Sequence, residues 1–353
     1  MKYLKISLIL LIFVFALWRR IPYLYTVSKD IGAYERAVTE FLTGTNPYIW
    51  AIESFSNPKD PSNHGYAYLP GFLYLYSFLY IIHLVTSLSY SVLWKIPLLF
   101  ADFGVGLLLI KHLYKKNFAA TVFALLMWFF NPYVYFRRGY LSMDVMTIFL
   151  LLLALWFLEK DDVAAGAAYA LSIIFKTYPV IFLPLFLIKS KDKRNFILAG
   201  TLVALFFSFP FMKTIGDFFT YIRGAVLIHG DRFIQGRPFL FYISYFYKIE
   251  LFQLVSFKVY SLASIFGAWV LTLVLYYFGR IRETYALAAI SFLNFYIFTP
   301  VLNRSYLMWC LPVLILALSK RSKPIYYVSL IVYFVFTSWY LVQWENGFEV
   351  WKP

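Results

Sequence analysis

Long apolar runs that recur along the whole chain constrain its fold more than any other feature. From residues 4–18 to residues 325–344 they approach or reach the roughly 17–25 residues that a membrane-spanning helix needs. Hydrophobic residues make up 62% of the chain and charged residues 14%, whereas a soluble domain carries about 25% charged residues. This composition argues against a soluble globule, a disordered chain, a coiled coil and a collagen-like fibre. We expect an all-α, polytopic helical membrane protein that forms a single domain over residues 1–353.

Basic clusters in the short segments between these runs give the topology. The positive-inside rule places such clusters in the cytoplasm, so an even number of crossings must separate neighbouring clusters. The net charge of +15 is then explained by cytoplasmic loops rather than by a nucleic-acid-binding patch, and we expect no nucleic-acid partner. The pattern predicts eleven crossings, with the N-terminus inside and the C-terminus outside. The clusters are Lys2/Lys5, Lys111/Lys115/Lys116, Lys189/Lys191/Lys193/Arg194, Arg280/Arg282 and Lys320/Arg321/Lys323.

The run at residues 66–86 creates a parity problem. Three apolar runs lie between Lys5 and Lys111, so an even count requires that one of them does not cross. Residues 66–86 are rich in Tyr and contain Pro70 and His83, which suits an interfacial or re-entrant helix. The alternative is a crossing here, with Lys111 outside against the charge rule. The preferred topology leaves two outer loops, at about residues 25–91 and 213–255.

A break interrupts the apolar pattern at Lys176-Thr177-Tyr178-Pro179. The runs on either side, residues 163–175 and 180–188, are short for full spans, and Pro forces a break between them. Broken helices at membrane depth are tolerated where they line a cavity. The sequence therefore predicts a cavity beside Lys176 and Tyr178.

The segment from Asp30 to Gly44 predicts an amphipathic helix that rests on the outer leaflet. Two interpretations of Asp30 remain open, because an Asp at this position either caps the helix or acts as a catalytic base. Gly44 suits the helix end. The apolar face of this helix is formed by Ile31, Tyr34, Val38, Phe41 and Leu42.

Several ionisable residues fall within or beside the apolar runs, where charge is costly. Structural pairing is one explanation, and Asp144 could instead compensate a helix dipole. We favour a polar cavity that faces outward. The lone Cys310 excludes a disulfide framework and thiolate metal clusters. The residues concerned are Asp102, Asp144, Lys176 and Arg304, with Arg232 and Arg237 in the second outer loop.

Short motifs in a fixed order carry a family resemblance. The motifs are Asp30…Tyr34…Phe41-Leu42-x-Gly44-x-Asn46-Pro47-Tyr48, Tyr66-x-Tyr68-x-Pro70, Lys95-x6-Asp102, Asn131-Pro132…Gly139…Asp144, Phe175-Lys176-Thr177-Tyr178-Pro179 with Pro184 and, more loosely, Arg232…Arg237-Pro238 and Arg304-x-Tyr306…Pro312. On these motifs the chain is similar to GT-C glycosyltransferases, in particular to the branch that uses polyprenyl-phosphate mannose and includes alpha-mannosyltransferases and the first GPI mannosyltransferase. The similarity covers most of the chain.

The resemblance implies transfer of a hexose, mannose by analogy, from a polyprenyl-phosphate donor to a lipid- or glycan-linked acceptor at the outer face of the membrane. Asp30 would be the general base, and cations would bind the donor phosphate. A divalent cation is possible, but the Asp-x-Asp or Asp-Glu pair of many relatives is absent here, so no metal ligands are assigned. The implied phosphate ligands are Lys176, Arg304, Arg232 and Arg237, and the implied cavity residues are Tyr34, Tyr68, Asp102, Asp144 and Tyr178.

Two other classes compete with an enzyme. A transporter or a lipid-linked-sugar handling protein also uses broken helices and charges at membrane depth, but the two halves show no inverted repeat. A scaffold subunit would not need so many acids and bases at one level. The modest length of the chain favours a prokaryotic protein that resides in the cell membrane.

Overall fold

The computed structural model describes residues 2–26, 31–56, 65–136, 143–230, 235–249, 251, 255–279 and 281–345. Within these ranges the regular secondary structure is helical except for one two-residue parallel bridge, in which β1 (Gln235–Gly236) pairs with β2 (Val301–Leu302). The predicted all-α class is therefore confirmed.

The helices follow one another with short connections. The first half of the chain forms α1 (Lys2–Leu24), α2 (Ile31–Leu42), α3 (Tyr48–Ser56), α4 (Gly71–Thr86), α5 (Tyr90–Leu93), α6 (Ile96–Leu113), α7 (Phe118–Phe129), α8 (Pro132–Phe136) and α9 (Met143–Phe157). The second half forms α10 (Asp162–Phe175), α11 (Leu183–Lys189), α12 (Lys193–Ser208), α13 (Ile215–Ala225), α14 (Phe239–Tyr247), α15 (Phe257–Tyr277), α16 (Thr284–Phe298), α17 (Leu307–Leu318) and α18 (Lys323–Glu345). Short 3₁₀ helices cover Tyr178–Phe182, Phe209–Phe211 and Leu227–Gly230.

Four helical segments in the described ranges are long and apolar enough to cross a membrane. Seven further apolar helices are 10–17 residues long. These segments agree with a helical membrane protein, and the count of eleven crossings stays a prediction. The four are Tyr90–Leu113, Lys193–Phe211, Lys258–Tyr277 and Lys323–Gln343.

The first outer segment folds onto the protein. The apolar face of α2 is buried against α4, with Tyr34 6% exposed and Val38 1% exposed. The prediction that this face rests on the outer leaflet is therefore wrong for its central residues, because other aromatic side chains of the same segment cover it. Gly44, at φ +84°, ends the helix as predicted: the Gly44 N–H donates to the carbonyl of Phe41.

The segment predicted as a second outer loop, about residues 213–255, is also largely structured. It contains α13, α14, β1 and a 3₁₀ turn. The Thr214 hydroxyl caps α13 by accepting the N–H of Asp217 at 3.0 Å. The described residues of this predicted loop therefore form short helices and a β bridge.

Helices α9 and α10 form an antiparallel hairpin that fixes two charged residues at one end of the bundle. Asp161 caps α10, because its carboxylate accepts the N–H groups of Val163 and Ala164 at 2.9 and 3.1 Å. The short turn makes the start of α9 meet the end of α10. Asp144, in the first turn of α9, and Lys176, directly after α10, therefore come to the same level.

The predicted break after α10 is present. Lys176 is extended, and the chain then forms a 3₁₀ helix before α11 begins. Side chains satisfy backbone carbonyls that the break frees: the Tyr169 hydroxyl donates to Pro179 O at 3.0 Å, and the Trp269 indole donates to Val180 O at 2.9 Å. The irregular backbone is thus held in one conformation.

Gly166 lets α10 approach α12 closely. A Cβ at Gly166 would lie 2.2 Å from the backbone oxygen of Phe196. Small residues at helix crossings in membrane proteins serve this purpose. The position of α10, and hence of Lys176 at its end, depends on this contact.

We expect Gly166→Ala to destabilise the protein by about 1–3 kcal/mol, because the new methyl group meets backbone that cannot rotate away. Thermal unfolding in detergent measures the change. Gly32→Ala is the matched control, since nothing lies within 4 Å of a Cβ at Gly32 in α2. Equal melting temperatures for the two variants would contradict the close-packing account.

The topology predicts opposite labelling of two exposed positions. Lys116→Cys should react with a membrane-impermeant maleimide only after the membrane is opened, and Ser89→Cys should react in intact cells. Both positions are exposed, and Cys310, which is buried, is replaced by Ala in the background. The reverse pattern would mean that residues 66–86 cross the membrane.

Candidate functional site

A cavity of about 950 Å³ lies where the ends of several helices meet. This volume is near the upper end of the roughly 300–1,000 Å³ that ligand sites in proteins usually have. Its walls come from the end of α1, the start of α9, the break after α10, the first turns of α15 and the loop between α16 and α17. These are the helix ends that the charge pattern assigns to the outer face.

A buried ion pair joins two walls of the cavity. The Lys176 ammonium donates to the Asp144 carboxylate; the Lys176 side chain is 14% exposed, and the Asp144 side chain is 6% exposed. Each charge also sits at the favourable end of a helix dipole, with the anion at the start of α9 and the cation at the end of α10. The pair therefore fixes a cation at the cavity surface.

A stack of three aromatic rings supports this cation. Trp309 lies between Tyr178, at 3.9 Å between ring centroids, and Tyr306, at 3.8 Å. The Lys176 ammonium lies 4.9 Å from the Trp309 ring centroid, within the range of cation–π attraction. Tyr178, predicted as a cavity residue, lines the cavity and packs against Trp309.

Arg304 reaches the cavity from the loop between α16 and α17, where it is half-buried. This loop is tied to the bundle at two places. The Tyr340 hydroxyl donates to Leu302 O at 2.9 Å, and the Tyr296 hydroxyl of α16 donates to Tyr306 O at 2.6 Å. Within the loop, the Thr299 hydroxyl donates to Val301 O at 2.9 Å. A second cation is therefore held at the cavity by a fixed loop.

Tyrosines form a further part of the cavity wall. Tyr34 and Tyr68 line the cavity, with 6.3 Å between their ring centroids. Tyr66 supports them: its hydroxyl donates to Leu69 O at 2.8 Å and accepts the Leu73 N–H at 3.1 Å. Burial raises the pKa of Tyr66 well above its usual range, so the phenol stays neutral and keeps the turn before α4 in place.

A lysine and a histidine of the cavity were not among the predicted site residues. Lys95 and His229 both line the cavity. Lys95 stands in the Lys95-x6-Asp102 motif, which could have pointed to it. His229 lies in the second outer segment, with its ring 6.3 Å from that of Tyr68, and the sequence offered no pattern that would have singled it out.

Two predicted site residues lie elsewhere. Asp102 does not line the cavity, because the face of α6 that carries it turns towards α1, where its carboxylate accepts the Nε–H of buried Arg20. Arg237 is 6% exposed and also lies outside the cavity lining. Its backbone N–H donates to Leu302 O at 3.0 Å, so it belongs to the β bridge rather than to a loop over the cavity.

Asp30 and Arg232 lie outside the described residues. Thr26 and Tyr34, on either side of residues 27–30, both line the cavity. The chain that carries Asp30 therefore joins two segments of the cavity wall.

Across the described ranges there is no group of three or more His, Cys, Asp and Glu side chains that could hold a metal ion. The acid nearest to the cavity cations, Asp144, is engaged by Lys176.

Comparison with known families identifies the class of protein. The model of glycosyltransferase family 87 matches residues 66–302, more than half of the chain. The protein belongs to glycosyltransferase family 87. The match includes Asp144, Lys176 and the segment between them, whereas Asp30 and Arg304 lie outside it. No curated protein and no solved structure matched the chain.

Membership in family 87 favours a transferase over a transporter or a scaffold. Together with the apolar helices, it indicates a membrane glycosyltransferase. The cavity, lined by Lys95, Lys176, Arg304 and several tyrosines, is the candidate active site of this family 87 protein.

Proposed function

We propose that the protein transfers a hexose, mannose by analogy with the GT-C branch it resembles, from a polyprenyl-phosphate donor to a lipid- or glycan-linked acceptor. The reaction takes place at the outer face of a prokaryotic cell membrane. The observation that carries the proposal is that Lys176 and Arg304 line one cavity in a member of a glycosyltransferase family. Two fixed cations suit a phosphate leaving group.

The proposed chemistry is a single displacement. The Asp30 carboxylate accepts the proton of the acceptor hydroxyl. The hydroxyl oxygen attacks the anomeric carbon, and the bond between this carbon and the phosphate oxygen breaks. The bonding electrons stay with the phosphate, so polyprenyl phosphate leaves with one more negative charge. A single displacement inverts the configuration at the anomeric carbon.

Lys176 and Arg304 stabilise the charge that develops on the phosphate. Preorganised cations in a site shielded from water lower the barrier to such a step. Arg offers a planar fork that can bind two phosphate oxygens, and Lys acts as a point charge. Asp144 holds Lys176 in place before the donor binds.

The apolar side of the cavity supports a lipid-linked donor. Leu262 and Leu227 line the cavity and are also 52% and 60% exposed on the surface of the protein. A prenyl chain could follow these side chains from the hydrocarbon of the bilayer while its phosphate stays at the cations. A water-soluble nucleotide sugar has no use for such a surface.

Asp30→Asn tests the proposed base. Asn caps a helix nearly as well as Asp, so the protein should fold and insert normally while turnover falls by a factor of about 10²–10⁴. Initial rates of hexose transfer by purified protein measure the effect. Glu53→Gln, an exposed acid of the same outer segment, is the control and should keep wild-type turnover. Normal turnover of a folded Asn variant would reduce Asp30 to a helix cap.

Arg304→Ala and Lys176→Ala test the phosphate assignment. Each should lower kcat/KM for the donor by about 10- to 100-fold, through KM, kcat or both. This is the loss expected when a hydrogen bond to a charged group is removed. Arg304→Lys should recover only part of the loss, because the fork is gone. Arg223→Ala, at an exposed cation of α13, is the control.

Size-exclusion chromatography reports the folded fraction of each phosphate variant, since Lys176→Ala removes the ammonium partner of Asp144. If both alanine variants fold and keep the wild-type donor KM and kcat, the two cations do not bind the donor phosphate.

A further inference from the structure

Lys95 lines the cavity, yet its ammonium is committed to the protein. Its Nζ lies 2.6 Å from Tyr23 O and 3.3 Å from Leu24 O, and it also donates to Thr26 O. The Thr26 hydroxyl oxygen is a fourth acceptor, at 3.2 Å. An ammonium group has three protons to donate, and four acceptors at the end of α1 already share them.

These acceptors lie at the C-terminal end of α1, which explains why a cation binds them. The last carbonyl groups of a helix have no partner within the helix and form the negative end of its dipole. Lys95 is 3% exposed, so a buried charge supplies donors to these carbonyls. The Thr26 hydroxyl also donates to Tyr23 O, at 2.9 Å. A buried cation surrounded by backbone oxygens holds the end of α1 against the start of α6.

A second charged contact attaches the same pair of helices deeper in the bundle. Asp102 follows Lys95 by seven residues, about two helical turns, and so lies on the same face of α6. It binds Arg20, whose other N–H groups donate to Ala16 O at 3.1 Å and Phe129 O at 3.2 Å. The Lys95-x6-Asp102 motif is thus explained by two contacts from α6 to α1.

We propose that Lys95 is a positioning residue that fixes the cavity-side end of α1, and that it is not a ligand of the donor phosphate. The inference deepens the proposed function and rests on it. Tyr23 and Thr26 form part of the cavity wall, and Asp30 follows Thr26 by four residues, a span of at most about 14 Å. Where Lys95 holds Thr26 therefore limits where the proposed base can act.

The first test measures the position of α1 without enzyme activity. Spin labels are placed at Tyr25 and Val85, which are 70% and 79% exposed, in a Cys310→Ala background. Lys95→Met removes the ammonium while keeping the length of the side chain, and Lys95→Arg keeps a charge and donors. We expect a broadened distance distribution for Lys95→Met and at least partial recovery of the wild-type width for Lys95→Arg. A distribution for Lys95→Met as narrow as that of the wild type would overturn the proposal.

The second test separates positioning from phosphate binding. Lys95→Met should lower kcat by about 10- to 100-fold, the cost of a small misplacement of reacting groups, and leave the donor KM within twofold of the wild type. Lys95→Arg should recover part of kcat. A raised donor KM with unchanged kcat would identify Lys95 as a phosphate ligand and overturn the proposal. If the wild type transfers no hexose, the proposed function fails, and the distance measurement still decides the role of Lys95.

Discussion

The buried ion pair between Asp144 and Lys176 is the interaction on which the candidate site depends. Charges are costly at membrane depth, and this pair is stabilised by mutual attraction, by two helix dipoles and by the ring of Trp309. The α9–α10 hairpin brings the two residues to one level, and the close contact at Gly166 sets the position of α10. The chain thereby holds a cation at the surface of a cavity before any ligand arrives.

Local chemistry made part of this arrangement predictable from the sequence. Pro179 and two short apolar runs indicated the break at Lys176, and the structure has it. The direction that Asp102 faces depends on how α6 packs against α1, and no local pattern encodes that choice. The apolar face of α2 was predicted from its periodicity, but the same pattern suits lipid or protein as its neighbour, and protein covers it. Arg237 was expected in an outer loop, whereas tertiary contacts bury it.

The cavity combines cations with tyrosines. Cations at the break after α10 and at the α16–α17 loop suit a phosphate, and tyrosines from the first outer segment line the same cavity. Lys95, directly before α6, donates to Tyr23 O near the end of α1, and Asp102 of α6 binds Arg20 of α1. This combination of groups agrees with the proposed reaction, in which a phosphate leaves and an acceptor hydroxyl attacks.

The central claim is that the sugar comes from a polyprenyl-phosphate donor. A comparison of two labelled donors tests this claim most directly. Purified protein in lipid nanodiscs receives a radiolabelled polyprenyl-phosphate hexose, or the matching nucleotide hexose, with an extract of source membranes as acceptor. We expect label to move from the polyprenyl-phosphate donor to the acceptor, with unlabelled polyprenyl phosphate released in equal amount. Transfer from the nucleotide hexose alone, with the lipid donor left intact, would contradict it.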